Sequence, residues 1–262
     1  GQTFRGIGNL QLDYKVHGLE SLRANVNLGM DIAKTTGNNY NTLGSIGSLR
    51  SAPDLYSEYE NYNRNMLLEA YVDYNETFAE KHNFNAMAGY SWQHNYVKYD
   101  NAQYYNNDRA KEYYIAPSNA REYYLVSFFG RINYSYDSRY LFTATARRDG
   151  YSAFGEDKKY GIFPSVAVGW NIMNEKFFKS SAAADVINNL KFRVSWGKNG
   201  NEAISAYATL PVLNGYNYLT DDYSAIFGFY PSTLSSPMLG WETTTSLNIG
   251  LDFGLLNDRI KG

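Results

Sequence analysis

The chain has 262 residues, a net charge of −2 and a pI near 6.0, so it lacks the positive charge that nucleic-acid binding requires. It has no cysteine, which excludes disulfides, thiolate catalysis and cysteine-ligated zinc. No apolar run approaches the roughly 20 residues of a membrane-spanning helix, whereas 26 tyrosines and an aromatic content of 17% suit a surface between oil and water.

The first strands are predicted from side chains that alternate between apolar and polar. From Leu22 to Ile32 every second residue is apolar, and the residues between them are polar or glycine. Because successive side chains of a strand point to opposite faces, this segment has one apolar and one polar face. The same pattern predicts strands at residues 10–17 before it and at 66–75 and 83–93 after it.

The alternation continues through the rest of the chain. Helical spacing is weak throughout, with room for at most a short helix within residues 177–187. The predicted class is therefore all-β, with nine strands and a tenth that begins at Ile260. The remaining five predicted strands cover residues 123–136, 140–148, 162–173, 190–198 and 241–253.

Short and long connections alternate along the chain. Short polar turns are predicted at residues 17–21, 79–82, 137–139 and 254–259, with an intermediate link at 174–189. Long loops are predicted at residues 33–64, 97–121, 149–161 and 199–240. Outer-membrane barrels have short periplasmic turns and long external loops, whereas soluble sandwiches usually have short hairpins at both ends. The pattern therefore predicts a transmembrane antiparallel β-barrel, with the whole chain, residues 1–262, belonging to one barrel domain.

We expect the polar face of these strands to contact water and the apolar face to contact lipid. The polar residues are too many to pair inside a dry core, so we expect them to face a wide aqueous lumen. Aromatic residues flank the short turns, which suits either an interfacial girdle or ordinary cross-strand pairing. The residues predicted to face lipid are Leu22, Val26, Leu28, Ile32, Leu68, Val72, Leu247, Ile249 and Leu251.

Several motifs carry a family resemblance. Residues 130–136 (GRINYSY) and 140–144 (YLFTA) are followed by 147–155 (RRDGYSAFG), 161–166 (GIFPSV) and the pair Gly169-Trp170. Residues 190–197 (LKFRVSWG), 199–201 (NGN) and 248–252 (NIGLD) continue the pattern, and 82–90 (HNFNAMAGY) precedes it. Together these residues resemble the SusC/RagA family of TonB-dependent outer-membrane transporters, over nearly the whole chain.

The resemblance implies more than the alternation does. Members of this family have a 22-stranded barrel, an N-terminal plug, and a TonB-binding segment ahead of the plug. They work with a SusD-like surface lipoprotein in the uptake of oligosaccharides or peptides, which the TonB complex powers. The plug and the TonB-binding segment have no counterpart in these residues, so we expect about nine or ten of the barrel strands here. The resemblance also places the chain in the outer membrane of a Gram-negative bacterium, as a multi-pass protein in contact with lipid.

The best binding candidates are aromatic residues of the long loops. Their rings stack on sugars, and tyrosine hydroxyls hydrogen-bond to glycans or peptides; they equally suit packing of the loops together or against the lid partner. Arg131, Arg147 and Arg148 are predicted at the lumen or its rim, where they bind plug carboxylates or order the outer loops. The tyrosine candidates are Tyr104, Tyr105, Tyr113, Tyr114, Tyr216, Tyr218, Tyr223 and Tyr230.

The sequence supports other functions less well. The three histidines have no metal-ligand spacing, and the chain has neither a P-loop nor a nucleophile elbow, so we expect no catalytic residue, metal or cofactor. A siderophore or cobalamin receptor of the same barrel class remains an alternative, because all such barrels alternate in this way. A soluble carbohydrate-binding sandwich, suggested by the aromatic content, is the other.

Overall fold

A computed structural model of the chain describes residues 1–40, 56–104, 112–115, 119–202, 204, 206–219, 225–257 and 259–262. The first six strands are β1 (Gln2–Lys15), β2 (Leu22–Tyr40), β3 (Tyr56–Phe78), β4 (His82–Tyr104), β5 (Glu112–Ile115) and β6 (Asn119–Tyr136). They are followed by β7 (Tyr140–Tyr151), β8 (Tyr160–Asn171), β9 (Ile187–Asn201), β10 (Val212–Leu219), β11 (Ala225–Thr233), β12 (Glu242–Leu255) and β13 (Ile260–Lys261). Helix α1 (Lys176–Lys179) lies between β8 and β9.

Most strands form one sheet in the order β1-β2-β3-β4-β6-β7-β8-β9-β12-β13, with β5 paired to β4. The pairings β4–β5, β6–β7, β7–β8, β8–β9, β9–β12 and β12–β13 are antiparallel, and β10 and β11 form a separate antiparallel hairpin. The all-β class and the antiparallel alternation are therefore confirmed, including the tenth strand at Ile260. The short-helix prediction is met by α1, a single turn. Among the described residues, no helix is both long and apolar enough to span a membrane.

The short turns have the backbone that tight hairpins need. Ala79 and Glu80 both have positive φ, as do Asp137 and Ser138, and Leu256 and Asn257. Two consecutive positive φ values are typical of type I′ turns, whose twist matches that of the flanking strands. These turns fall where the sequence predicts short links.

Several strands are longer than predicted. β3 and β4 have 23 residues each, and their outer ends occupy parts of the predicted loops 33–64 and 97–121. Likewise, the predicted loop 199–240 contains the β10–β11 hairpin. A tilted strand crosses a membrane with about 9–11 residues, so β3 and β4 are about twice as long as a membrane crossing requires. Because alternation is imposed only where one face is apolar, sequence periodicity does not reveal these extensions.

The described residues fall into two compact units. One comprises Gly1–Gln11, Asn27–Leu68 and Trp92–Tyr124. Within it, Arg5 pairs with Asp31 through two hydrogen bonds of 2.9 and 2.7 Å, and buried His94 lies 2.7 Å from the Glu122 carboxylate. The other comprises Leu12–Val26, Glu69–Ser91 and Leu125–Gly262, and contains the features described below.

Candidate functional site

One face of the second unit's sheet is lined by small and polar residues, and we call it the polar face. The register places Asn133 opposite Thr143, Thr143 opposite Ala167, Ala167 opposite Ser195, and Ser195 opposite Asn248. One row spans five strands without a large apolar side chain. A protein core would not contain such a row unless every group found a partner.

Hydrogen bonds connect the polar face across four strands. The Asn85 amide donates to the Asp73 carboxylate at 2.8 Å, and the Asn133 amide donates to the Asn85 carbonyl oxygen at 3.0 Å. The Thr143 hydroxyl then donates to the Asn133 carbonyl oxygen at 2.9 Å. A concave region of about 750 Å³ lies over this part of the sheet and extends to Arg193 and Asn248. This asparagine ladder presents amide groups of the kind that bind glycans, peptides or water.

Two arginines of the polar face are neutralised by neighbouring aspartates. Arg147 Nε donates to Asp149 at 2.6 Å and its guanidinium also donates to the buried Ser127 hydroxyl at 2.9 Å. Arg193 Nε donates to Asp252 at 3.0 Å, across the β9–β12 pair. Arg131, opposite Thr145, is on this face as well. Arg147 and Arg193 on the polar face are therefore each paired with a carboxylate.

Arg148 lies on the other face. The register places it opposite Phe128 and Ile162, so it does not join Arg131 and Arg147. Its guanidinium carbon lies 4.4 Å from the centre of the Tyr160 ring. The prediction grouped all three arginines at the lumen or rim, and the structure brings together only two of them on one face.

The face that carries Arg148 is largely apolar, and we call it the apolar face. Lys198, two residues after Trp196 in β9, is a second cation on it. Tyr134, Phe142, Val168, Val194 and Ile249 form one row across it. Of the residues predicted to face lipid, the exposed ones are Leu28, Val72, Leu247, Ile249 and Leu251, and the half-buried ones are Leu22, Val26, Ile32 and Leu68. None of them is in a closed core. Leu247 and Ile249 are 65% and 68% exposed, which water would penalise and lipid would not.

Aromatic residues form a row at the turn end of the apolar face. Tyr136 lies opposite Tyr140, Tyr140 opposite Trp170, and Trp170 opposite Phe192. Glu175 lies beside this row. Its carboxylate accepts hydrogen bonds from Trp170 Nε1 and from Arg139, both at 3.1 Å. Such a row, apolar outward and hydrogen-bonded toward the turns, is typical of a membrane interface.

The pKa of Glu175, which lies outside the strands, is lowered. Its largest cause is a hydrogen bond from Tyr140, followed by those from Trp170 and Arg139. The carboxylate is buried and charged, and its three donors come from β7, β8 and the preceding turn. Sequence reasoning did not single out Glu175, because it lies between the polar residues Asn174 and Lys176 and looks like an ordinary exposed residue of a link.

At the opposite end of the strands, the sequence also did not single out a buried aromatic cluster. Phe154 packs edge-on against Tyr151 at 5.0 Å and against Trp241 at 5.2 Å, and Phe163 packs against Trp241 at 5.2 Å. The Phe163 ring fits only because Gly200 has no side chain, since an added Cβ would lie 2.2 Å from it. This cluster fastens the β7–β8 loop to the segment before β12.

Among the tyrosine candidates, the structure brings together Tyr216 and Tyr230. Their rings meet edge-on at 6.4 Å on one face of the β10–β11 hairpin. Phe227 and Phe229 occupy the opposite face, where they are 64% and 66% exposed. Tyr104, Tyr113, Tyr114 and Tyr218 are in described strands, but their side chains are outside the description, and Tyr105 and Tyr223 are outside the described residues altogether.

Comparisons with known proteins agree with this two-faced sheet. A family model described as "TonB dependent receptor-like, beta-barrel" matches residues 2–261. The chain is 35% identical to TonB-dependent receptor SusC of Bacteroides thetaiotaomicron, over 98% of this chain and 26% of that protein. It is 37% identical to TonB-dependent receptor P39 of Formosa agariphila, over 74% of this chain and 19% of that protein.

Solved structures show the same fold. The RagAB peptide importer in its closed-closed state matches 99% of this chain and 29% of that chain, with a TM-score of 0.77 and 24% identity. The RagAB peptide transporter matches 98% of this chain and 30% of that chain, with a TM-score of 0.76 and 22% identity. The chain thus spans about a fifth to a quarter of the curated relatives above.

Proposed function

Because the chain belongs to the TonB-dependent receptor β-barrel family, we propose that it forms part of the wall of an outer-membrane importer for oligosaccharides or peptides. The family locates the chain in the outer membrane of a Gram-negative bacterium. The observation that supports import is the polar face, whose asparagine ladder lies back to back with an apolar face. In a barrel, these faces become the aqueous lumen and the lipid boundary.

The lumen wall is suited to neutral, hydrogen-bonding cargo. Its amides and hydroxyls offer donors and acceptors, and the arginines Arg147 and Arg193 are matched by Asp149 and Asp252. The names of relatives fit this class: one similar structure is titled a peptide importer. Energy from the TonB complex and a plug inside the barrel belong to the same proposal.

The β10–β11 hairpin is the proposed contact for substrate and for a SusD-like lipoprotein. Its tyrosine side, Tyr216 and Tyr230, has ring faces and hydroxyls for sugars or peptides. Its phenylalanine side, Phe227 and Phe229, is exposed and lacks polar tips, which suits burial against a protein partner. One hairpin therefore offers two different surfaces.

The test uses the full-length protein in its own bacterium. Deleting the gene should abolish growth on one oligosaccharide or peptide supplied as sole nutrient, and restoring the gene should restore growth. Normal growth on every polymer, with loss of labelled siderophore or cobalamin uptake instead, would overturn the proposal in favour of a metal-chelate receptor.

Paired variants separate the two sides of the hairpin. Replacing Tyr216 and Tyr230 by alanine should reduce uptake of the identified nutrient while the lipoprotein still copurifies. Replacing Phe227 and Phe229 by alanine should instead reduce the copurified lipoprotein. If both pairs of substitutions leave uptake and copurification unchanged, the hairpin has neither role.

A further inference from the structure

A groove crosses the apolar face where its side chains become small. Gly130 lies opposite Ala146, and Ala146 lies opposite Pro164. The adjacent strand contributes Ala86 and Ala88, and the groove encloses about 590 Å³. That volume is within the roughly 300–1,000 Å³ of ordinary ligand sites. We call it the small-residue groove.

Larger side chains border the small-residue groove on both sides. Toward the turns, Ile132 and Val166 line the groove, and Tyr134, Phe142 and Val168 form the next row. Toward the outer loops, the Tyr90 ring packs 5.1 Å from the Phe128 ring, and Phe128 lies opposite Arg148. The groove is therefore a depression between two ridges, shaped for a slender apolar chain rather than for a flat surface.

Arg148 is in the outer ridge and lacks a carboxylate partner among the residues that the structure describes. Its neighbour Arg147 pairs with Asp149 at 2.6 Å, on the polar face. Arg148 instead lies over the Tyr160 ring, and that ring rests on Gly150, where an added Cβ would come within 2.5 Å of it. Glycine and tyrosine thus fix the guanidinium from one side and leave its donors exposed.

The position of Arg148 along β7 locates it in the membrane. Eight residues separate it from Tyr140 of the aromatic row. At about 3.4 Å per residue and a strand tilt of about 40°, that separation is about 20 Å of depth. Since the apolar band of such a barrel is about 25 Å tall, Arg148 lies near the interface opposite the short turns, within reach of the headgroups of the outer leaflet.

We propose that the small-residue groove and Arg148 form a binding site for a phosphate-bearing lipid of the outer leaflet. One acyl chain lies in the groove against Gly130, Ala146 and Pro164. The lipid phosphate accepts hydrogen bonds from Arg148, whose planar fork matches phosphate oxygens. A second copy of the chain, or another barrel, is a poorer occupant because Arg148 would need a carboxylate from it.

The test is native mass spectrometry of the full-length protein, extracted from its own outer membrane in mild detergent. The wild-type protein should retain at least one phosphate-bearing lipid. Arg148→Gln removes the charge and Ala146→Leu fills the groove, so each should reduce retained lipid at least fivefold. Arg147→Gln, one residue away on the polar face, is the matched control and should retain lipid as the wild type does.

Each other outcome contradicts the proposal. Equal lipid retention in all variants, or a bound lipid without phosphate, would overturn it. A loss of dimer or of a protein partner in Ala146→Leu, with lipid unchanged, would assign the groove to a protein contact. Gel mobility before and after heating checks that each barrel is folded; if Ala146→Leu fails to fold, the comparison of Arg148→Gln with Arg147→Gln alone decides.

Discussion

Arg147 and Arg148 are adjacent in β7, yet their polar partners differ. Arg147 is on the polar face, where Asp149 and the Ser127 hydroxyl accept its hydrogen bonds. Arg148 is on the apolar face, against the ring of Tyr160. Strand geometry alone causes the separation, because consecutive side chains point to opposite sides. One strand thus places the same residue type in two solvents.

The difference extends to the neighbouring strands. On the polar face, a nearby carboxylate pairs with Arg147 and with Arg193. On the apolar face, Arg139 and Glu175 lie at the turn end, and Arg148 and Lys198 lie in the halves of β7 and β9 nearer the outer loops. Charge in the middle of the apolar face is therefore what the fold should tolerate least.

The largest expected effect comes from placing charge in that middle. Ala144 lies opposite Ile132 and Val166 on the apolar face, about midway between Tyr140 and Arg148. Ala144→Lys should destabilise the folded full-length protein by about 2–4 kcal/mol, because a lysine near the bilayer midplane is poorly solvated. Urea unfolding in lipid vesicles measures the change.

Ala167→Lys is the matched control. Ala167 lies opposite Thr143 and Ser195 on the polar face, so the same substitution puts the ammonium group in water. Its cost should be no more than about 0.5 kcal/mol, as for ordinary exposed substitutions. Equal losses for the two variants would mean that the two faces do not meet different solvents.

The alternation that separates these faces is what made the fold predictable. Leu22–Ile32 and the other alternating segments identified nine strands and the start of a tenth, because a strand between lipid and water must repeat every two residues. The outer ends of β3 and β4, and the β10–β11 hairpin, carry no such requirement. Their pairing depends on partners distant in sequence, so local periodicity could not predict them.

The site was predictable only in part, for a related reason. Counting along β7 separates Arg147 from Arg148, but the pairing of Arg147 with Asp149 and of Arg148 with Tyr160 depends on which rotamers the neighbouring strands leave open. The asparagine ladder and the small-residue groove need the register of four adjacent strands. Single residues such as Asn133 and Ala146 do not carry that information.

At the turn end of the apolar face, a buried carboxylate neutralises an arginine. Arg139 pairs with buried Glu175 at 3.1 Å. Glu175→Gln leaves an amide that still bonds to Trp170, but Arg139 keeps only its more exposed partner Asp137. Stability at neutral pH should therefore fall, by less than for Ala144→Lys. Urea midpoints of the two proteins at neutral pH give the loss.

The stabilisation by the Glu175 carboxylate depends on pH. The hydrogen bond from Tyr140, together with those from Trp170 and Arg139, lowers the pKa of Glu175 below its ordinary value of 4.5. The stabilisation is therefore fully present above pH 4.5 and is lost as the pH falls through the lowered pKa. Wild type and Glu175→Gln should converge in acid; a gap that persists there would show that packing, not charge, accounts for the loss.

The smallest expected effect tests whether the polar face is wet. Asn133 accepts a hydrogen bond from Thr143 and donates one to Asn85. In an aqueous lumen, water replaces both partners in Asn133→Ala, so the cost should stay near about 0.5 kcal/mol. In a dry interior, Asn85 and Thr143 would keep unsatisfied groups, and the cost would rise to about 1–3 kcal/mol. Urea unfolding of this variant therefore reports the solvent of the polar face directly, since geometry and strand pairing stay the same and only access of water differs.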